Sequence, residues 1–333
     1  MSLKKNKILL VFPQGIGDFF FAIKYLISEL KYYKPEEIKE IYLVGQYEQH
    51  NDLIKNCLNS EKIKIFFIFS KLHNFKKFFC FLKIFCIKFD FFILDPNTNI
   101  IKSIILLSLI RAKNKIYKKN KCIINFFYSK IKYSRFKRKD FFLNILNTFF
   151  LLDRKKIIKD IYKKNFQNSL TKIGIAPGSG KIEKHKRWSI DKWIGLINSI
   201  YKKKKKIEFY LYGNENNIIN KIFYVSKRIN SNIKIYKIKD ININNIISSI
   251  INVDHFISND NGLACISTLL GLPTYIITGP THPKHLIQYP NCKIFKSNFQ
   301  CSPCYNYLRL GCGNPKCLDL VSYEKISKEI ISN

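Results

Sequence analysis

The sequence predicts an α/β protein built from two doubly wound parallel sheets. Three observations carry that prediction. Short, continuous apolar runs alternate with stretches of helical periodicity, as expected of parallel strands covered on both faces. The alternation runs through the first half of the chain, breaks, and restarts near residue 172. Turn-forming glycines, amides and carboxylates follow several of the runs, which is where ligands bind in open α/β sheets.

In the first half, "KILLVF" (7–12) is the first apolar run, and "GIGDFFFAIKYLISELKYY" after it has helical spacing. "IYLV" (41–44), "IKIFFIF" (63–69) and "FDFFIL" (89–94) read as further buried strands with helical stretches between them. The second series is "KIGIA" (172–176), "IEFYLY" (207–212), "IKIY" (233–236), "DHFIS" (254–258) and "PTYIIT" (273–278). The five consecutive lysines at 202–206 fall between a helix and a strand and read as a solvated connection. The polar stretch 153–171 separates the two series, giving one domain over 1–160 and a second over 161–333. A chain of 333 residues suits two domains of about 100–200 residues each. Two such sheets facing each other would enclose a central cleft at their strand C-terminal ends.

Composition narrows the function classes. With 47% hydrophobic and 15% aromatic residues the chain buries real cores, which excludes a disordered protein. The net charge of +35 comes from lysines scattered through every segment, alongside abundant Ile, Asn and Phe, the bias an AT-rich genome imposes. Such a basic surface suits anionic lipid headgroups. It also makes a basic nucleic-acid-binding protein the alternative of another class, although no stacking-aromatic signature or helix-turn-helix is recognisable, so no specific nucleic acid is expected as a partner. Residues 1–12 run into Pro13-Gln14-Gly15 without a cleavage site, and the apolar regions 63–95 and 100–110 are interrupted by lysine. Neither reaches the ~18 uninterrupted apolar residues of a membrane span. A cytoplasmic chain with reduced cysteines is expected, Cys57, Cys80, Cys86 and Cys122 being small core residues.

Four loops carry the chemistry. Gly15-Ile16-Gly17 follows a strand and opens a helix, but Phe20 replaces the third glycine of the dinucleotide fingerprint, which argues against NAD or FAD. Asp18 then stands in the first turn of a helix, as a dipole partner or a general base. In "GIAPGSGKIEKHKRWSIDKW" (174–193), the turn around Gly178, Ser179 and Gly180 can bring N–H groups to an anion, with Lys181, Lys184, Lys186 and Arg187 around it. It is not a nucleotide-hydrolysing phosphate loop, because the flanking glycines are one residue too far apart and Ile182 stands where a Ser or Thr would ligate magnesium. "YGNENN" (212–217) places Glu215 at a helix start, for capping or ribose recognition. "SNDNGLACISTLLGLPTYIITGPTHP" opens with Asn259-Asp260-Asn261-Gly262 before a helix whose free N–H groups form an anion site. Gly271 is expected to end that helix.

Taken in order with "FDFFILDPNTNIIKSIILLSLIRAKNKIY" and the terminal "CSPC…C…C", these stretches resemble glycosyltransferase family 9, the heptosyltransferases of lipopolysaccharide assembly and their relatives. The resemblance spans nearly the whole chain. It implies a GT-B architecture of two Rossmann-like doubly wound domains facing a central cleft, 1–160 on the acceptor side and 161–333 on the nucleotide-sugar side, and an inverting, metal-independent transfer of a sugar from a nucleoside diphosphate. It assigns Asp18 as the catalytic base and Lys186 as the cation that neutralises the departing diphosphate. Glu215 becomes the ribose ligand, and Asp260, Asn261, Gly262 and Leu263 the loop that holds donor sugar and phosphates. Gly15, Gly17, Gly178 and Ser179 complete the substrate-binding set. The implied partners are ADP-heptose or another nucleotide sugar and a lipid-linked glycan acceptor, met peripherally at the inner face of the inner membrane. Cys265 departs from the family, which usually has His there. Cys301, Cys304, Cys312 and Cys317 have spacing that allows a structural zinc or iron site, and no cofactor is required for transfer.

Overall fold

The computed structural model describes residues 6–11, 17, 38–45, 64–69, 82, 84–94, 100–116, 170–180, 183–238, 242–281, 283, 286, 290–304, 312 and 315–332. The chain divides into two compact units, Met1–Asp153 and Arg154–Asn333.

In the first unit the strands are β1 (Asn6–Val11), β2 (Ile38–Gly45), β3 (Lys64–Phe69), β4 (Lys88–Leu94) and β5 (Arg111–Ile116), with helix α1 (Ile100–Leu109) between β4 and β5. They form one parallel sheet in the order β3-β2-β1-β4-β5. Leu9, Phe89, Phe92 and Leu107 are fully buried in its core. Strand order reverses between β1 and β4, so the end of β1 is the switch point of this sheet. Gly17, just beyond it, is helical and buried. Gly15, Asp18, Cys57, Cys80 and Cys122 lie outside the described residues, and Cys86, expected in the core, is exposed.

The second unit contains β6 (Thr171–Ala176), a single 3₁₀ turn (Lys184–Lys186), α2 (Ile190–Lys203), β7 (Ile207–Tyr212), α3 (Asn216–Ile229), β8 (Lys234–Ile238), α4 (Ile243–Ile251) and β9 (His255–Asn259). It continues through α5 (Gly262–Leu269), β10 (Thr274–Ile277), β11 (Cys292–Phe295), α6 (Lys316–Asp319) and α7 (Tyr323–Ser332). The parallel sheet runs β11-β10-β9-β6-β7-β8, which is the full six-stranded Rossmann order. Its switch point lies between β6 and β9.

Local sequence explains these elements. Helix α2 starts at Ser189, whose hydroxyl accepts from the Lys192 N–H at 3.4 Å, and buries Trp193, Leu196, Ile197 and Ile200 at helical spacing. Trp193 meets Trp188 edge to face at 5.1 Å, tying α2 to the segment that carries Lys186. Helix α7 packs on α2, with the Ser199 and Ser327 hydroxyls bonded at 3.0 Å. Helix α5 stops at Gly271, whose φ of 84° lies in the left-handed region that favours glycine, as its sequence position predicts.

Two strands depart from the sequence reading, β5 and β11. Both sit at sheet edges. "RAKNKI" and "CKIF" therefore need no continuous apolar run, and Lys113 and Lys293 turn outward to Asp90 and Glu329. The lysines at 204–206 form the connection from α2 to β7, as expected.

Candidate functional site

At the switch point the end of β6 and the end of β9 are stitched together. Asn259 donates from its side chain to the Pro177 carbonyl and accepts from the Trp188 N–H at 3.2 Å. The Asn261 amide donates to the Gly178 carbonyl at 2.9 Å. Ser258 donates to the Ala176 carbonyl at 3.2 Å. These bonds are buried or nearly so, and they hold Gly178, Ser179 and Asp260 on a fixed base.

Lys186 projects from the 3₁₀ turn and is 8% exposed. Its ammonium lies 3.0 Å from Asp260 Oδ2 and 2.7 Å from Glu183 Oε1. The hydroxyl of Thr281, in the loop after β10, donates to the same Asp260 oxygen at 2.7 Å. Burial alone would pull the Lys186 ammonium down, but the carboxylates of Asp260 and Glu183 outweigh it and raise its pKa above the ordinary value. Lys186 is thus a fixed cation at any working pH. It differs from the bare cationic turn expected from sequence, because Lys186 and Arg187 are paired with Glu183, Asp260 and Glu215. Lys184 is exposed, and Lys181 lies outside the described residues.

Glu215 occupies the N-cap position of α3 yet makes no side-chain cap bond. Capping therefore drops out as its role. Its Oε1 instead accepts from the Ser179 N–H at 3.1 Å and from Arg187 at 3.2 Å. A Cβ added at Gly178 would meet Glu215 Cδ at 2.6 Å, and one added at Gly213 would meet Oε2 at 3.2 Å. The carboxylate is seated between two glycines. The Ser179 hydroxyl donates to the Glu183 carbonyl at 2.8 Å and accepts from Arg187 Nε at 2.9 Å, so it braces the loop.

The start of α5 needs a correction. Its N–H groups are not all free: the Asn261 side chain accepts from Leu263 and Ala264 at 2.9 and 3.1 Å. Asn is a strong N-cap residue, and here it acts as one. A phosphate oxygen at this terminus competes with Asn261 for those two donors or uses the first N–H of the helix, at Gly262. Cys265, on the first turn of α5, is buried.

The terminal cysteines gather beneath the loop after β10. The Cys304 N–H donates to the Pro280 carbonyl at 2.9 Å, Ser302 donates to the Gly279 carbonyl, and Cys317 packs under Gly279. Burial first, then the neighbouring Cys304, Cys301 and Cys312, push the Cys317 thiol up. The other three thiols are thus within electrostatic reach of Cys317. Among the described residues, however, no three His, Cys, Asp or Glu side chains are grouped to hold a metal ion. Nor is any helix of the described residues long and apolar enough to cross a membrane.

Sequence reasoning missed Glu183, Thr281, the bridging role of Asn259 and the pairing of Arg187. For Arg187 the available signal was its place beside Lys186, with a neighbouring carboxylate loop to answer it.

The chain matches the family model described as glycosyltransferase family 9 (heptosyltransferase) over residues 152–310. No curated protein sequence matches. Among solved structures, the chain is similar to a glycosyltransferase family 9 protein from Veillonella parvula, at 16% identity and a TM-score of 0.66 over 100% of this chain and 98% of that one. It is similar to the Escherichia coli heptosyltransferase WaaC, solved with ADP, at 12% identity and a TM-score of 0.63 over 98% of this chain and 97% of that one. It also resembles the iron-containing dodecameric glycosyltransferase TibC of enterotoxigenic E. coli, at 13% identity and a TM-score of 0.55 over 100% of this chain and 76% of that one. These likenesses show an α/β fold of two parallel-sheet units.

Proposed function

We propose that the chain, which matches the glycosyltransferase family 9 model over residues 152–310, is an inverting transferase moving heptose from ADP-heptose to a lipopolysaccharide core or related surface-glycan acceptor. The observation that carries this reading is the trio of Lys186, Asp260 and Glu215 at the switch point of a six-stranded Rossmann sheet. That is where such sheets bind nucleotides.

In this reading Glu215 accepts from the ribose hydroxyls, and the diphosphate lies along Lys186 and the start of α5. The acceptor hydroxyl attacks the anomeric carbon from the face opposite the diphosphate. A C–O bond forms to the acceptor, the bond to the leaving phosphate oxygen breaks, and the configuration inverts. Asp18, in the acceptor-side unit, takes the hydroxyl proton. Lys186 balances the charge that accumulates on the departing diphosphate, with the Gly262 N–H at the start of α5 assisting. A cation already held in place by Asp260 and Glu183 needs little reorganisation at the moment of reaction. Transfer needs no divalent cation in this scheme. The basic surface supports peripheral contact with an anionic inner leaflet.

Cys265 favours one variant of the reading. The alternative within the family is a hexose or N-acetylglucosamine donor, or a protein acceptor, and a thiol smaller than the usual imidazole bears on the donor half of it. The experiment is a transfer assay on Asp18→Ala. Loss of the base should slow transfer roughly 10²–10⁴-fold while ADP affinity stays near wild type. Near-wild-type turnover would remove Asp18 from the mechanism.

A further inference from the structure

We propose that Arg187 is a positioning residue for the nucleoside ribose, fixing the Glu215 carboxylate so that one oxygen is committed to the protein and the other is offered to a cis-diol. The proposal rests on the reading of Glu215 as the ribose ligand and adds the residue that makes it competent. Arg187 Nε donates to the Ser179 hydroxyl at 2.9 Å, and its Nη2 donates to Glu215 Oε1 at 3.2 Å. The Ser179 N–H donates to the same Oε1 at 3.1 Å. Two donors therefore converge on Oε1, and among the described residues Oε2 receives none.

A carboxylate offers about four acceptor sites, two on each oxygen. Here the pair on Oε1 is taken and the pair on Oε2 is open, which matches the two hydroxyl donors of a ribose cis-diol. The seat between Gly178 and Gly213 leaves the carboxylate a quarter exposed, so a ligand can reach it. Glu215 stands on the connection from β7 to α3, while Ser179 and Arg187 flank the 3₁₀ turn after β6. The guanidinium joins these two connections with a planar fork, a geometry an ammonium cannot reproduce. Lysine at this position keeps the charge and loses the bridge.

The test is calorimetric titration of the whole chain with ADP and with 2′,3′-dideoxy-ADP, and with the matching uridine pair. Wild type should bind the ribose form at least about tenfold tighter, the equivalent of one charge-assisted hydrogen bond. Glu215→Ala should abolish that preference. Arg187→Ala and Arg187→Lys should abolish it equally, and combining Glu215→Ala with Arg187→Ala should lose nothing further. If Glu215→Ala removes the preference while both Arg187 variants keep it, the positioning role is overturned and the ribose reading stands. The positioning role is likewise overturned if Arg187→Ala weakens both nucleotides equally and Arg187→Lys restores them, which marks a phosphate contact. If no nucleotide binds, wild type ignores the ribose hydroxyls, or Glu215→Ala leaves the preference intact, the ribose reading falls and this inference falls with it.

Discussion

Gly178→Ala probes the site with a single methyl group. Gly178 does not have a left-handed φ, so alanine strains no backbone there. What it meets is the Glu215 carboxylate: the new Cβ would lie 2.6 Å from Cδ and 2.7 Å from Oε1, with Oε2 nearer still. Ordinary contact begins near 3.4 Å, so the carboxylate's Cδ must retreat by about 0.8 Å and its Oε2 by more. That stretches its bonds from the Ser179 N–H and Arg187, now 3.1 and 3.2 Å, beyond hydrogen-bond length. Both groups are partly exposed, so water replaces the lost partners and the fold loses only about 1 kcal/mol, roughly 2–4 °C in melting temperature. Nucleotide binding suffers more. A hydrogen bond to a charged group is worth about 1.5–3 kcal/mol, so ADP should bind about 10- to 100-fold more weakly. Calorimetry for affinity and thermal unfolding for stability separate the two effects. Wild-type ADP affinity in Gly178→Ala would refute the reasoning, because it would show that the carboxylate between the glycines does not touch the nucleotide.

Lys186→Ala should slow turnover about 10²–10³-fold and weaken donor binding, whereas the exposed Lys184→Ala should change either less than tenfold in steady-state assays; the reverse order would reassign the diphosphate cation. Stability should fall in mild acid. Burial, outweighing the neighbouring Asp254, lowers the pKa of His255, and burial with the Lys186 charge lowers that of His185. The unfolded imidazoles therefore take up protons first. Stability is complete above the unfolded pKa of about 6.5 and is lost as pH falls from there through the folded values. Urea titrations at pH 7.5 and 5.5 should show this loss, and a smaller one in His255→Gln; an equal loss would exclude His255 as a contributor.

The sequence showed most of the second unit because its strands are buried on both faces and leave uninterrupted apolar runs, from "KIGIA" to "PTYIIT". Strands β5 and β11 escape that rule because, among the described residues, one side of each has no partner strand, and charged residues suit such edges. At the site, residue types were legible and their pairings were not. Lys186 was visible as a cation, but Glu183 and Asp260 reach it only through the 3₁₀ turn and the β9 loop. Asn261 before a helix carries an N-cap signal, and that signal, rather than the free N–H groups of an anion site, is what the folded chain realises for Leu263 and Ala264. Glu215 shows the opposite outcome: it has a capping position and turns its carboxylate to Ser179 and Arg187. Asp18 and Gly15 rest on sequence alone.

The most direct test of the account is a transfer reaction with the intact chain, ADP-heptose and a lipid-linked acceptor bearing an acidic core sugar, run in excess EDTA. Lys186 and the start of α5 need no divalent ion to hold the diphosphate, so acceptor-dependent ADP release and a product of inverted anomeric configuration should persist in the chelator. Turnover restored only by added magnesium or manganese, or a product of retained configuration, would contradict it.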